Sequence, residues 1–149
     1  MKPVVILAIN PGSTSTKVAL FRDGEEVWSD TQRYDIDRIS EFPTIPSQEP
    51  FRLGAIRKAL KERGTEISGL DAVVGRGGLL RPTRGGTYSV NEPMLEDLRS
   101  CRFGSHASNL GAPLARNLAE EAGEKPAFIV DPVVVDELVD EARLSGIPE

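Results

Sequence analysis

The sequence predicts an α/β domain with a mixed sheet, and three observations lead to this fold class. Short apolar runs separated by turn residues open the chain, which predicts an antiparallel meander of three strands. Segments with apolar residues at helical spacing follow, and further short apolar runs alternate with them. Because a strand, helix, strand order requires a crossover, we expect the later strands to pair in parallel. A length of 149 residues favours one domain with its own core.

The chain opens with a strand, a polar turn and a second strand. The apolar run from Val4 to Ile9 stops at Asn10-Pro11-Gly12, and apolar residues resume from Val18 to Phe21. Asp23-Gly24 then predicts a hairpin turn. A third strand is expected between Glu25 and Tyr34, which completes the meander.

The turn between the first two strands, NPGSTSTK, is rich in groups that can bind an anion. Backbone N–H groups and side-chain donors in such a turn can converge on one phosphate. The spacing differs from a Walker loop, and a strand follows instead of a helix. A Ser/Thr-rich turn is also ordinary in hairpins, so a phosphate loop and a simple turn both remain open. The candidate phosphate-binding residues are Asn10, Gly12, Ser13, Thr14, Ser15 and Lys17.

After the meander, the pattern predicts a polar surface connection and then alternating helices and strands. The connection spans residues 36–50, where three prolines interrupt a polar stretch. The next elements expected are a helix from Pro50 to a stop at Gly64, a buried strand from Leu70 to Val74, a loop rich in glycine and arginine from Leu79 to Gly86, and a short strand from Thr87 to Val90. A short helix capped by Asn91 and a loop from Phe103 to Asn109 follow. The last elements expected are a helix from Leu110 to Gly123, with Pro113 in its first turn or kinking it, a strand from Ala127 to Val130, and a helix marked by Val135, Leu138 and Ala142.

The composition favours small-molecule chemistry. Eighteen basic and 23 acidic residues give a net charge of −5, which argues against nucleic acid as the main partner. The single cysteine, Cys101, excludes an internal disulfide framework and suits a reducing cytoplasm. The apolar run at the start is too short for a signal peptide or a membrane span, so we expect a soluble cytoplasmic protein.

Polar side chains follow three of the predicted strands. Asn10, Arg76 and Asp131 stand at strand ends, and ligands of open α/β sheets bind outside the carboxyl ends of the strands. Each residue also has a structural interpretation: Asn10 as a turn residue, Arg76 as a solvated loop residue and Asp131 as a helix cap. His106 could complete a helix start, and Lys17 could point to solvent.

Five motifs taken together resemble a known family. In this order, NPGSTSTK, VVGRGGLL, GGTYSVN, GSHASNLG and FIVDPVVVDE resemble the N-terminal half of the butyrate kinases and their branched-chain fatty-acid kinase relatives. These enzymes belong to the acetate kinase branch of the actin, Hsp70 and sugar-kinase superfamily. The resemblance runs from Ile6 to Gly146 and implies an actin-like ATPase domain, which has a ribonuclease H-like fold.

The resemblance implies a role for each candidate residue. Asn10, Ser13, Ser15 and Lys17 fall on the first phosphate loop of the family, and Arg76 falls on or beside the arginine that neutralises the carboxylate and the transferred phosphoryl group. In acetate kinases that arginine precedes the Gly-Gly pair by a few residues, whereas here Arg76 abuts it. His106 falls on the active-site histidine. Asp131 falls on the essential acidic residue, which is expected to act through Mg²⁺.

The resemblance also implies substrates, partners and a missing part. We expect ATP and a short-chain carboxylate as substrates, Mg²⁺ as cofactor, and a second domain, absent here, that clamps the nucleotide. The chain is therefore expected to be a fragment with little turnover, and a homo-oligomeric full-length protein remains open. Leu79, Leu80 and Val133 are candidates for an apolar substrate pocket. Two other functions remain open: a non-enzymatic actin-like module that binds anions or assembles, and a sugar or hydroxyl kinase with Asp131 as base.

Overall fold

The computed structural model describes residues 1–135 and 137–139 of the chain. Within them six strands form one sheet: β1 Val5–Pro11, β2 Ser15–Arg22, β3 Glu25–Arg33, β4 Ala72–Arg76, β5 Thr87–Ser89 and β6 Ala127–Val130. The order across the sheet is β3-β2-β1-β4-β6-β5. Four α-helices accompany it: α1 Ile36–Ser40, α2 Glu49–Glu62, α3 Glu92–Arg99 and α4 Gly111–Glu121. Single 3₁₀ turns lie at Pro46–Gln48, Ile67–Gly69 and Ala107–Leu110.

The sheet is mixed, as the sequence predicts. β1 pairs antiparallel with β2, and β2 pairs antiparallel with β3, which forms the meander. β4 lies parallel to β1 and to β6, because the chain crosses over through α2 before β4 and through α4 before β6. The short β5 pairs antiparallel with β6 at the edge. The central position of β1 brings its carboxyl end beside those of β4 and β6.

One face of the sheet carries the core. Leu7 and Ile9 of β1 are fully or almost fully buried, whereas Ala8 and Asn10 between and after them face the other side. α2 and α4 cover the core face and contribute fully buried side chains such as Ile56 and Leu114. The described helices that contact the sheet therefore leave its opposite face to the polar side chains of the strand ends.

The structure corrects three boundaries. Residues 36–50 are not only a connection, since they contain α1 and a 3₁₀ turn; α1 buries no side chain, so no apolar periodicity marks it in the sequence. The fourth strand begins at Ala72 instead of Leu70, and Asp71 before it binds the backbone N–H of Val5. Asn10 is the next-to-last residue of β1 and Arg76 is the last residue of β4, so both lie within their strands and not beyond them.

The predicted helix ends agree with the structure where it describes them. Asn91 caps α3 by accepting a hydrogen bond from Met94 N at 3.0 Å. Gly64 and Gly123 follow α2 and α4 with positive φ angles, and Pro113 lies in the first turn of α4. Of the final helix predicted from Val135, Leu138 and Ala142, the structure describes Val135 and Leu138, which are not helical, whereas Ala142 lies outside the described residues. Among the described helices, none has the length and apolar character needed to cross a membrane.

Candidate active site

A groove of about 440 Å³ lies on the open face of the sheet, at the carboxyl ends of β1, β4 and β6. We call it the sheet groove. Its polar lining includes Asn10, Lys17, Arg76 and Asp131, so the three residues predicted at strand ends meet one residue of the first turn, Lys17, in one place. Glu26 adds a second carboxylate to the lining, and small or apolar side chains form the rest of the wall, among them Ala8, Ala19, Phe21, Val74 and Val130.

Strand register explains why these side chains converge. Asn10 of β1 stands opposite Lys17 of β2, and Arg76 of β4 stands opposite Val130 of β6. Because side chains alternate along a strand, Asn10 and Arg76 share the face that Leu7, Ile9 and Val73 do not. A shift of one residue in either strand would bury Asn10 or Arg76 in the core.

The two cations of the sheet groove are not neutralised by the protein. Within the described part of the chain, neither Lys17 nor Arg76 has a carboxylate partner within 4 Å. Both side chains are exposed. Arginine offers a planar fork that matches carboxylate and phosphoryl oxygens, and lysine offers a point charge. Lys17 and Arg76 can therefore each contact an anionic ligand, in a groove that the carboxylates of Asp131 and Glu26 also line.

Asp131 follows β6 directly and is held by a glycine pair. Its backbone adopts φ +41°, and its Oδ1 accepts a hydrogen bond from Gly86 N at 2.9 Å. Gly86 O in turn accepts from Asp131 N at 3.0 Å, and Gly85 N donates to Glu137 Oε1 at 2.7 Å. Two amides of the GGTYSVN motif thus fix carboxylates beside the sheet groove. The left-handed backbone aims the Asp131 side chain at the groove instead of continuing the strand.

No cluster of three or more His, Cys, Asp or Glu side chains with a metal-binding arrangement occurs among the described residues. Mg²⁺ commonly takes only one or two carboxylates and completes its shell with phosphate and water oxygens. Asp131, exposed and with one oxygen committed to Gly86, fits that smaller donor set.

The loop of residues 12–15, here named the hydroxyl loop, joins β1 to β2. Gly12 N donates to Ser15 O at 2.8 Å, which closes the turn. Thr14 O accepts from Tyr34 N at 2.9 Å, and Arg52 donates to Ser13 O and Ser15 O. The hydroxyls of Ser13, Thr14 and Ser15 have no partner in the described part of the chain. The carbonyls of Ser13, Thr14 and Ser15 are thus hydrogen-bonded, whereas their hydroxyls have no partner among the described residues.

The predicted residues do not all line one cavity. Thr14 and Ser15 border a separate, wide depression that also includes Tyr34 and Arg33, whereas Gly12 and Ser13 line neither cavity. His106 is exposed and lies outside the sheet groove as well. The structure therefore unites four of the nine candidates in the sheet groove, and the other five do not line it.

His106 has the structural role that the sequence left open. It is the N-cap of the 3₁₀ turn Ala107–Leu110, where its Nδ1 accepts from Ser108 N at 3.2 Å and lies 2.7 Å from Ser108 Oγ. Because Nδ1 accepts, the neutral ring carries its proton on Nε2. That N–H remains available for an anionic oxygen.

Sequence reasoning missed two buried polar residues that support the site. Asn109 accepts from Leu79 N at 2.9 Å and donates to Gly104 O at 2.8 Å, so it ties the GRGGLL loop to the loop before His106. Arg52 is fully buried beneath the hydroxyl loop. The sequence signal for Asn109 and for Arg52 was a polar residue among apolar ones. It could not identify the distant partners, which are Leu79 N for Asn109 and the carbonyls of Ser13 and Ser15 for Arg52.

Close backbone contacts join the strand ends to α4. A Cβ atom at Gly75 would overlap the carbonyl of Gly111, and one at Gly111 would overlap the carbonyl of Arg76. Only glycine permits this approach at either position. The contact seats the first residue of α4 directly against the strand that carries Arg76.

The expected apolar pocket is realised only in part. Leu80 lines a cavity of about 310 Å³ together with Tyr88, Met94 and Pro132. Arg81 and Asp97 also line it. Leu79 does not, and Val133 remains 38% exposed. Pro132 of this cavity follows Asp131 of the sheet groove directly in sequence.

Known proteins resemble this chain in both sequence and fold. It is 57% identical over 144 residues to a probable butyrate kinase of Coprothermobacter proteolyticus and 53% identical over 144 residues to butyrate kinase 2 of Clostridium acetobutylicum. Each match covers 97% of this chain and 40% of the relative. No protein-family model matches the chain. The resemblance to butyrate kinases that the five motifs predict is confirmed.

A solved structure shows that the fold is that of an acetate kinase domain. Acetate kinase from Porphyromonas gingivalis superposes with a TM-score of 0.55 at 14% identity. The superposition covers 85% of this chain and 37% of the acetate kinase. The predicted actin-like fold class is therefore confirmed, and the chain spans well under half the length of the relatives it matches.

Proposed function

We propose that this chain forms the N-terminal part of a carboxylate kinase that transfers the γ-phosphoryl group of ATP to butyrate or a branched short-chain fatty acid, giving an acyl phosphate and ADP. The observation that carries the proposal is the 57% identity to a probable butyrate kinase over 144 residues. The sheet groove supports it, since two cations without protein partners face an open cavity at the strand ends.

The chemistry of a carboxylic acid determines what the residues must do. A short-chain acid has a pKa near that of a Glu side chain, about 4.3, and is ionised at pH 7, so attack on phosphorus requires no general base. The barrier is the approach of an anion to a polyanion. Positioning, cationic side chains and preorganised donors must lower it. Asp131 is therefore not assigned as a base.

The groove side chains divide these tasks. Arg76 binds carboxylate or phosphoryl oxygens through its planar fork, and Lys17 adds a positive charge across the groove. Asn10 supplies a neutral amide that does not repel the anionic nucleophile. The hydroxyl loop donates to the outer phosphates of ATP, and the proton on Nε2 of His106 is a further donor to a phosphoryl oxygen.

Asp131 is the residue proposed to hold Mg²⁺. Mg²⁺ supplies charge neutralisation on the phosphates and orients them for in-line transfer. The protein contributes one carboxylate whose orientation is set by Gly86 N. The remaining donors come from phosphate and water in this proposal.

The rest of the kinase is proposed to lie in a second domain. The chain spans 40% of the relatives, and the groove is open on the side away from α4. In this proposal a further domain binds the adenosine and closes over the groove. The chain by itself then binds phosphate or carboxylate weakly and turns over little or no ATP.

A chimera tests the function. The matching residues of the Coprothermobacter proteolyticus butyrate kinase are replaced by this chain, and butyrate-dependent acyl phosphate formation is measured by trapping the product as the hydroxamate. We expect the chimera to be active with butyrate and Mg²⁺·ATP. The isolated 149-residue chain should show no turnover above background.

Two controls make the result decisive. In the same chimera, Asp131→Asn should lower the rate by about 10²-fold or more, because the Mg²⁺ ligand is lost. Arg57→Gln, on the exposed side of α2, should leave the rate unchanged. A folded chimera that binds ATP but forms no acyl phosphate from butyrate would contradict the proposal, as would robust turnover by the isolated chain.

A further inference from the structure

Arg52 is a buried charge without a buried counter-charge. Its side chain is 0% exposed, although it carries a guanidinium group that is always protonated in proteins. Among the described residues no carboxylate lies within 4 Å of it. Desolvation by burial lowers the pKa of Arg52, and the aromatic Tyr34, whose ring centroid is 5.1 Å away, opposes this. Such a charge is costly unless something compensates for it.

Every N–H of the guanidinium is nevertheless used. Nε and Nη2 donate to Gln48 Oε1 at 3.0 and 2.9 Å, and Nη1 donates to Thr16 Oγ1 at 3.0 Å. Nη1 also donates to Ser15 O at 2.8 Å, and Nη2 to Ser13 O at 3.1 Å. All of these acceptors are neutral. The guanidinium therefore has all of its hydrogen bonds, but no negatively charged group of the described residues lies close enough to balance its positive charge.

The contacts of Arg52 orient the hydroxyl loop. By drawing in the carbonyls of Ser13 and Ser15, the guanidinium turns the negative ends of those peptide groups toward α2. Tyr34 N holds the carbonyl of Thr14 in the same way. The hydroxyls of Ser13, Thr14 and Ser15 have no partner among the described residues, and hydroxyls donate to anions. A positive charge lies directly beneath the loop.

We propose that Arg52 is a positioning residue that prepares the hydroxyl loop for a polyphosphate and that the bound phosphate serves as its counter-charge. The inference rests on the proposed function and names the residue that makes the loop a phosphate site. Arg52 does not touch the ligand. It acts by fixing the loop carbonyls away from it and by adding a charge that water does not screen.

The substitution Gln48→Glu tests the charge separately from the packing. Gln48 is 2% exposed, and its Oε1 accepts two of the guanidinium hydrogen bonds. Glu keeps those acceptor positions and gives Arg52 an internal partner. A merely structural Arg52 would tolerate this change or be stabilised by it. A charge reserved for the ligand would be neutralised, so anion binding would weaken while the fold persists.

The experiment uses the full 149-residue chain with inorganic tripolyphosphate as the probe. Binding is followed by chemical-shift changes of the Ser13 and Thr14 amides, and folding by thermal unfolding. We expect Gln48→Glu to raise the dissociation constant about tenfold without lowering the melting temperature. Arg57→Gln is the matched control, since it makes the same change in net charge at an exposed position of α2. It should change the dissociation constant less than twofold.

The outcomes separate the two proposals. Tripolyphosphate that shifts the loop amides equally in the wild type and in Gln48→Glu would overturn the role of Arg52 and leave the phosphate loop intact. Tripolyphosphate that does not shift these amides in the wild type would overturn the loop assignment, and the Arg52 inference with it. If Gln48→Glu does not fold, Arg52→Lys replaces it. We expect about threefold weaker binding there, because the charge is kept and the fork is lost, and unchanged binding would overturn the inference.

Discussion

Asn10 places a neutral amide at the carboxyl end of the central strand, opposite Lys17 and beside Arg76 and Asp131 in the sheet groove. An acidic residue at this position would add a charge where an anionic nucleophile has to approach. The proposed carboxylate substrate explains why an amide stands at this position. Attack of the carboxylate on phosphorus needs no proton acceptor, and a further negative charge nearby would raise its barrier.

The substitution Asn10→Asp tests this argument in the active chimera. We expect kcat with butyrate to fall at least about tenfold, because a fixed carboxylate raises the barrier for a second anion. Steady-state assays at saturating Mg²⁺·ATP measure it.

Asn10→Ala is the control, because it removes the amide without adding charge and should cost less than Asn10→Asp. Wild-type kcat for Asn10→Asp would show that the neutral amide has no electrostatic role.

The sequence was sufficient to predict which residues meet at the strand ends and insufficient to predict what supports them. Asn10, Arg76 and Asp131 converge because parallel strands align their carboxyl ends, a rule that needs only the order of elements. Arg52 and Asn109 bind backbone atoms 30 or more residues away, and no local pattern encodes such a partner. His106 was ambiguous because a cap and a ligand-binding histidine require the same local sequence.

At the scale of elements, the packing of α4 against β4 depends on two glycines whose backbones are in close contact. Gly75 and Gly111 bring the backbones of strand and helix together at the site. Apolar periodicity predicted the helix and the strand well, because both bury one face. It did not predict α1, which buries no side chain, or the backbone contact, which involves no side chain at all.

The substitution Gly75→Ala should destabilise the domain. The added methyl group overlaps the Gly111 carbonyl, and backbone cannot move aside as a flexible side chain would. We expect a loss of at least about 1–3 kcal/mol in the free energy of unfolding, measured by urea denaturation.

Gly54→Ala is the matched control in the same protein. Gly54 lies in α2 with nothing within 4 Å of its added Cβ, so alanine should stabilise by about 0.5–1 kcal/mol. Equal effects of the two substitutions would show that the strand and helix are not in close contact.

At the scale of the whole molecule, Asp71 ties the start of β4 to the start of β1. Its Oδ2 accepts from Val5 N at 2.9 Å, and its Oδ1 lies 3.1 Å from Lys2 Nζ. The hydrogen bond from Val5 N lowers the pKa of Asp71, with a smaller contribution from Lys2. A carboxyl group whose pKa is lower in the folded than in the unfolded state stabilises the native state at pH values above its unfolded pKa of about 3.9. This stabilisation is lost as the pH falls through the pKa of the folded state.

Asp71→Asn should therefore lower the melting temperature at pH 7, and the difference from the wild type should shrink as the pH falls below the unfolded pKa of about 3.9 and then through the lower folded pKa. Thermal unfolding across this range measures it. Asp37→Asn, at an exposed position in α1, is the control and should change the melting temperature little at any pH in this range. A melting temperature difference that is independent of pH would contradict an electrostatic contribution from Asp71.

The position of Arg52 in the chain has a consequence for synthesis. The hairpin of β1 and β2 leaves the ribosome before α2 and can pair locally, but the arginine that holds Ser15 O follows 37 residues later. During translation the hydroxyl loop therefore exists before the residue that orients its carbonyls. The loop can acquire its hydrogen bonds to Arg52 only when α2 docks on the meander, so a nascent chain forms the hairpin before it forms the proposed anion site.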